Sequence, residues 1–140
     1  MNELEIIANI KKIIKNSSAL KLEDDVFFDK KKNLIASIDT YVENIHYINF
    51  KYPDLIIKKV IRSSISDILC KGANPKYLLI SFSGSKKHFN NKNIKLMIKS
   101  INEEQKKFNF SLIGGDTTSS LKSSFTICSF SYSKKIIKRN

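Results

Sequence analysis

The sequence predicts an α/β domain, a mixed β-sheet with helices packed on one face. Three observations carry this. Pro53 to Lys71 and Asn91 to Phe108 repeat apolar residues at helical spacing. Tyr77 to Phe82, Phe110 to Ile113 and Phe125 to Tyr132 are short apolar runs of strand length. A chain of 140 residues is about one domain and can bury a core of its own.

The elements follow in order. Glu3 to Lys15 sets Ile6, Ile7, Ile10, Ile13 and Ile14 at helical spacing, with lysines opposite, and Asn16-Ser17-Ser18 ends it. Val26-Phe27-Phe28 and Leu34-Ile35-Ala36 flank the polar turn Asp29 to Asn33, which reads as a hairpin. Asp39 to Phe50 mixes polar residues with Val42, Ile45 and Tyr47, the pattern of an extended loop or irregular strand. Pro53 stands in the first turn of the next helix, where its missing N–H is no loss, and Gly72 is placed to stop that helix. Its apolar face is Ile56, Ile57, Val60, Ile61, Ile65, Ile68 and Leu69. Tyr77 to Phe82 reads as a buried strand, and Ile94, Met97, Ile98 and Ile101 form the apolar face of the following helix. Phe110 to Ile113 and Phe125 to Tyr132 are strands, and Ile136-Ile137 is read as the start of one more.

Composition narrows the function classes. No apolar run is long enough for a transmembrane helix, and MNELEIIANIKK lacks the continuous apolar core of a signal peptide, so a cytoplasmic protein is expected. Cys70 and Cys128 stand far apart in apolar segments and read as small core residues in a reducing compartment. The net charge is +12. The lysines are scattered, and Lys, Ile and Asn are abundant as in an AT-rich genome. The charge therefore reads as compositional drift; no nucleic-acid partner is expected, although a polyphosphate ligand would suit it.

The carboxylates carry the chemistry. Of thirteen acids, five stand out by position. Asp24 and Asp25 precede the Val26 strand, Asp39 follows the Leu34 strand, and Asp67 lies in the second long helix near Ser63 and Ser64. Asp116 follows Leu112-Ile113-Gly114-Gly115, read as a strand end running into a tight turn that lets a ligand approach the backbone. Each acid alone also reads as a cap or turn residue. Clustered carboxylates repel, so a site that gathers several usually holds cations, and an all-oxygen site suits Mg²⁺ shared with substrate phosphates. No Cys/His cluster argues for zinc, and no constellation supports a covalent nucleophile. His46, seven residues after Asp39, alone reads more readily as a structural histidine than as a ligand.

Four segments resemble the N-terminal half of the thiamine-monophosphate kinase family, in the aminoimidazole-ribonucleotide-synthetase-like superfamily. They are Glu23-Asp24-Asp25, Ser37-Ile38-Asp39 with Val42-Glu43-Asn44-Ile45-His46-Tyr47, Ser64 to Pro75, and Ile113-Gly114-Gly115-Asp116-Thr117-Thr118. The resemblance implies ATP-dependent phosphorylation of thiamine monophosphate to thiamine diphosphate by direct transfer. It implies that Asp25, Asp39, Asp67 and Asp116 hold several Mg²⁺ ions, with Ser37 and the backbone of Ile38 as minor ligands and Asp24 in support. Gly115, Asp116 and Arg139 are implied to border ATP, and His46 to contact the thiamine phosphate. A homodimer closing its sheets across a two-fold axis is implied as well, with Phe125, Ile127, Phe130 and Tyr132 in the edge region.

Three positions depart from the pattern: Glu23 and Asn44 replace glycines and Ile38 replaces a threonine. Residues 1–140 match one N-terminal ATP- and Mg-binding domain, and the family's C-terminal domain is expected to be absent, as in a truncated gene or half of a split protein. Two readings stand beside the kinase. One is another ATP-dependent member of the superfamily, such as selenophosphate synthetase or aminoimidazole ribonucleotide synthetase, against which the His46 segment argues. The other is a non-catalytic dimerisation or binding domain.

Overall fold

A computed structural model describes residues 2–139. Helix α1 spans Glu3–Lys11 and opens with a capping box, in which the Glu5 N–H donates to Asn2 Oδ1 and the Asn2 N–H to Glu5 Oε2, both at 3.0 Å. It buries no residue and ends four residues before Lys15. With none of its isoleucines buried, periodicity alone does not extend it. A 3₁₀ segment, Ser17–Leu22, leads into strands β1 (Phe27–Asp29) and β2 (Leu34–Val42). Then come α2 (Pro53–Cys70), β3 (Tyr77–Gly84), α3 (Asn91–Phe108), β4 (Ser111–Ser119) and β5 (Ser124–Tyr132).

The five strands form one sheet in the order β1-β2-β5-β3-β4. Only β3 and β4, joined through α3, run parallel; every other pair is antiparallel. The predicted mixed sheet with helices on one face is what the chain adopts. Helix α2 buries Ile56, Ile57, Val60, Ile61 and Ile65 against Tyr41, Leu78, Ile80, Phe125 and Ile127 of the sheet, and Ile68 against Val26, Ile35 and Ala73; Leu69, expected in the same stripe, is 42% exposed. Each such buried side chain contributes about 1.5–3 kcal/mol. Helix α3 adds Met97 and Ile101, and its buried Glu104 accepts two hydrogen bonds from Arg62 of α2, at 2.7 and 2.8 Å.

Strand alternation divides the sheet into two faces. On β5, Phe125, Ile127, Ser129 and Ser131 are buried under the helices, while Thr126, Cys128 and Phe130 point the other way. The open face is rich in apolar groups. Ile38 is 67% exposed there and Ile113 53%, beside Leu79 and Phe130. Of the four side chains expected at a dimer edge, Phe125 and Ile127 are therefore core residues, and Phe130 and Tyr132 remain on the open face.

Four further expectations need correction. Cys70 is exposed at the end of α2 and Cys128 is only half-buried, so neither is a core residue. Ile136-Ile137 starts no strand; the Ile137 N–H donates to the Lys71 carbonyl, and the Ile137 side chain packs on Gly72. Asp39 lies inside β2, which continues to Val42. Gly114-Gly115 is not a turn: β4 runs through it to Ser119, in parallel register with β3. The glycines admit a neighbouring strand, not a ligand. A Cβ on Gly115 would lie 1.7 Å from the Ile80 carbonyl oxygen, beside the register shift between Leu78 and Leu79.

Gly115→Ala must therefore push β4 away from β3. The expected cost is about 3 kcal/mol of folding free energy. Urea denaturation checks it, with Ser119→Ala at the strand's exposed end as reference. A loss below about 1 kcal/mol would show that β4 yields easily.

Candidate functional site

The acids of the β1 approach, β2 and α2 gather on the helix-covered side of the sheet. Asp24 enters first, from the loop before β1. Its carboxylate meets Lys71 Nζ at 2.5 Å, with both side chains nearly buried. It also accepts the N–H of Asp25 at 2.8 Å and of Arg139 at 3.2 Å. Burial alone would raise its pKa, but the hydrogen bonds from Lys71, Arg139 and Asp25 and the lysine charge outweigh that and hold it below the ordinary carboxylate value. Lys71 was not among the residues singled out by sequence. Its signal is positional, a cation at the C-cap of α2 just before the left-handed Gly72.

Asp25 is half-exposed and pairs with the Arg139 guanidinium at 3.2 Å. Asp39 faces the helices and accepts the Tyr41 hydroxyl at 3.3 Å. Burial raises its pKa, the Tyr41 bond opposes this, and the Asp25 charge adds to it. Asp67 is pushed up to about 6, first by burial, then by the charges of Asp39 and Asp25, against the pull of Lys71. Tyr41 is raised to about 12, chiefly by burial. Two residues before Asp39 on the same face, Ser37 is 6% exposed and its Oγ has no hydrogen-bond partner. Ile38 turns its side chain to the open face, leaving only its main chain beside this group.

The group is loose. Among the described residues no three acids, histidines or cysteines close on one point as ligands of one ion. Mg²⁺ tolerates this, because it keeps waters and takes one or two carboxylates together with substrate phosphates. The oxygen-only donor set and the orphaned Ser37 hydroxyl fit such an ion.

Asp116 does not join them. It pairs in register with Ser81, which pairs with Thr126, which pairs with Thr40, all on the open face. Thr117, next in sequence, faces the helices and lines an apolar groove with Phe82 and Met97. Asp116 is thus three strands from β2, about 14 Å by sheet spacing, and on the opposite face from Asp39. Convergence of Asp25, Asp39, Asp67 and Asp116 around one cleft fails within a single chain, and Gly115 lies out on the same edge strand. The error came from reading the glycines as a turn.

His46 lies beside a cavity, and its imidazole meets the Tyr41 ring edge-on at 5.5 Å. Its Nδ1 accepts the Val42 N–H at 2.9 Å, so the ring proton of the neutral form sits on Nε2. Asn44 takes a left-handed conformation, φ 67°, which asparagine tolerates in place of glycine. Glu23, at φ −105°, needs no glycine either. Behind the loop, Glu43 accepts the Ser123 N–H (2.9 Å) and Oγ (3.1 Å) and pairs with His88 Nε2 (3.1 Å). Burial pushes Glu43 up, but the Ser123 bonds and His88 bring it below its ordinary value. The His46 cavity measures about 510 Å³ and is walled by Ile45, Ile48, Tyr52, Leu55 and Lys59.

Residues 21–132 match the family described as AIR synthase related protein, N-terminal domain. The chain belongs to this family. It is 32% identical over 123 residues to the thiamine-monophosphate kinase of Methanocaldococcus jannaschii, covering 84% of this chain and 39% of that protein. It is 37% identical over 86 residues to that of Bacillus subtilis, covering 61% and 26%. The fold superposes on a solved structure of AaThiL complexed with AMPPCP and TMP with a TM-score of 0.86 and 20% identity, over 99% of this chain and 44% of that one. The AIR synthase family chain thus spans less than half the length of these relatives, and its resemblance to the N-terminal half of thiamine-monophosphate kinase is borne out.

An ionised Asp67 is a strain on the fold. Its folded pKa lies above the unfolded value, so stability falls as pH rises from about 4 through about 6. Asp67→Asn should stabilise the metal-free protein at pH 7.5 by about 1–2 kcal/mol, a figure reduced for solvent screening, and by far less at pH 4. Thermal melts at the two pH values check this. An equal difference at both would remove the electrostatic explanation.

Proposed function

We propose that this chain is the metal- and nucleotide-binding half of a kinase that transfers the γ-phosphoryl group of ATP to thiamine monophosphate, giving thiamine diphosphate. The observation that carries the reading is the mutual proximity of Asp25, Asp39 and Asp67, with the unpartnered Ser37 hydroxyl on the same strand face as Asp39 and the Tyr41 ring against His46. The curated relatives named thiamine-monophosphate kinase support it.

Asp25, Asp39 and Asp67 would hold Mg²⁺, with Ser37 as a neutral donor. Bound there, the ion neutralises phosphate charge, which is what direct phosphoryl transfer most needs. Asp24, committed to Lys71, braces the loop that carries Asp25. Arg139 can exchange its contact with Asp25 for a phosphate oxygen. His46 presents an Nε2–H donor at the cavity proposed for the phosphate acceptor; it is not placed as a base. A partner domain must close the cleft, since positioning donor and acceptor can be worth roughly 7–11 kcal/mol. The apolar open face is proposed to be covered by a second copy of the chain, which puts Asp116 on that covered face.

Two outcomes check these assignments. Asp39→Asn and Asp67→Asn should each weaken Mg²⁺-dependent binding of a non-hydrolysable ATP analogue at least tenfold, with Asp54→Asn at the start of α2 without effect. Equal effects in all three would count against the site. Turnover of ATP and thiamine monophosphate should be slight for residues 1–140 and return when a C-terminal half is supplied; brisk turnover by the chain alone would show the site misplaced.

Assembly is tested by light scattering. The wild-type chain should be a dimer at micromolar concentration and Ile38→Lys a monomer. A wild-type monomer would refute pairing through the open face.

A further inference from the structure

A concavity separate from the acid group has the opposite sign. It measures about 860 Å³ and lies between the β1–β2 turn, the 3₁₀ segment and the stretch after β5. The pairing of β2 with β5 and a hydrogen bond from the Ser133 N–H to the Asn33 carbonyl, at 2.8 Å, bring these segments together. Two lysine runs distant in sequence therefore meet across it: Lys30 and Lys31 on one wall, Lys134, Lys135 and Lys138 on the other.

Five lysines there face one carboxylate. Among the described residues, none of these five lysines forms an ion pair. The one carboxylate in the lining, Asp29, is occupied by its own turn, accepting the N–H groups of Lys31 (2.9 Å) and Lys32 (3.1 Å). Asn16, Ser17 and Ser18 supply amide and hydroxyl donors on a third side, and Leu20, Phe28 and Ile136 form an apolar floor. Five like charges around one hollow repel one another, and an anion seated among them removes that repulsion. The arrangement is concave and small, with one aromatic ring on its floor. A duplex or an extended single strand needs a long basic track or a row of stacking rings. A compact group with consecutive phosphates fits better.

We propose that this lysine cleft is a binding site for a linear polyphosphate group, carried by a nucleoside triphosphate or free as tripolyphosphate. It acts without a divalent cation and does not depend on the acids of the kinase reading. Residues 1–140 are titrated by calorimetry with tripolyphosphate, orthophosphate, ATP and a single-stranded RNA 12-mer, in EDTA at two salt concentrations. Tripolyphosphate should bind at least tenfold more tightly than orthophosphate, and more weakly at the higher salt. Lys134→Gln/Lys135→Gln/Lys138→Gln should weaken it at least tenfold, and Lys30→Gln/Lys31→Gln, on the facing wall, should also weaken it. Removing the same charge from α3, with Lys92→Gln/Lys95→Gln/Lys99→Gln, should change it less than twofold. Asp39→Asn should leave it intact, which separates this site from the metal site. ATP matching tripolyphosphate assigns the site to phosphates in general; ATP binding tenfold more tightly assigns it to a nucleotide. Equal losses in the two triple variants, no preference over orthophosphate, or RNA binding more tightly than either would overturn the proposal.

Discussion

The contact on which everything else is built is the apolar stripe of α2 against β2 and β5. Six aliphatic side chains at helical spacing lie over alternate residues of the two strands, and none is more than slightly exposed. That register leaves little freedom of rotation. It sets Asp67 toward the end of β2 that carries Asp39, and it ends the helix where Lys71 reaches Asp24. The acids are brought together by a hydrophobic surface that has no interest in charge, and the electrostatic penalty on Asp67 is a consequence of that packing. Tyr41 belongs to both sides of the balance: its ring is part of the core, its hydroxyl serves Asp39, and its edge meets His46.

Much of this was legible in the sequence. Periodicity located α2, α3 and the buried strands because each has a partner surface that enforces its pattern. It failed at α1, where none of the isoleucines is buried, and at Ile136-Ile137, where the chain docks beside the end of α2 through the Ile137 N–H and apolar packing and pairs with no strand. The acids before β1, in β2 and in α2, four of the five that the sequence singled out, lie near enough to feel one another's charge; the fifth, Asp116, does not join them. Lys71 was missed because one lysine among many gives no signal in composition, and only burial reveals it. Glu43 was passed over as part of a motif around His46, yet with Ser123 and His88 it anchors the loop that presents that histidine.

The Gly-Gly-Asp segment shows why local chemistry can mislead. Two glycines before an acid at the end of an apolar run are equally compatible with a turn at a ligand site and with a strand pressed against its neighbour. The distinction is non-local: it lies in the Ile80 carbonyl, thirty-five residues away, which occupies the space a side chain at Gly115 would need. Once β4 is a continuous strand, alternation sends Asp116 to the open face, and no adjustment of side-chain rotamers returns it to Asp39. Any role for Asp116 beside phosphate therefore belongs to the face where a second copy is proposed, not to the acid group of its own chain.

The lysine cleft and the acid group together explain how a chain of such high positive charge can hold an acidic site. Lys71 and Arg139 neutralise Asp24 and Asp25 directly, and Arg139 follows Lys138, the last lysine of the basic cleft. The segment after β5 thus runs from the lysine cleft to the acid group. Its cations are spent on carboxylates at one end and unpaired at the other. A phosphate group relieves the repulsion among the lysines, and a divalent cation that among the acids. Excess lysine here is more than a compositional habit: the fold sorts it, through one turn and one strand end, into a place where it borders the acids without cancelling them.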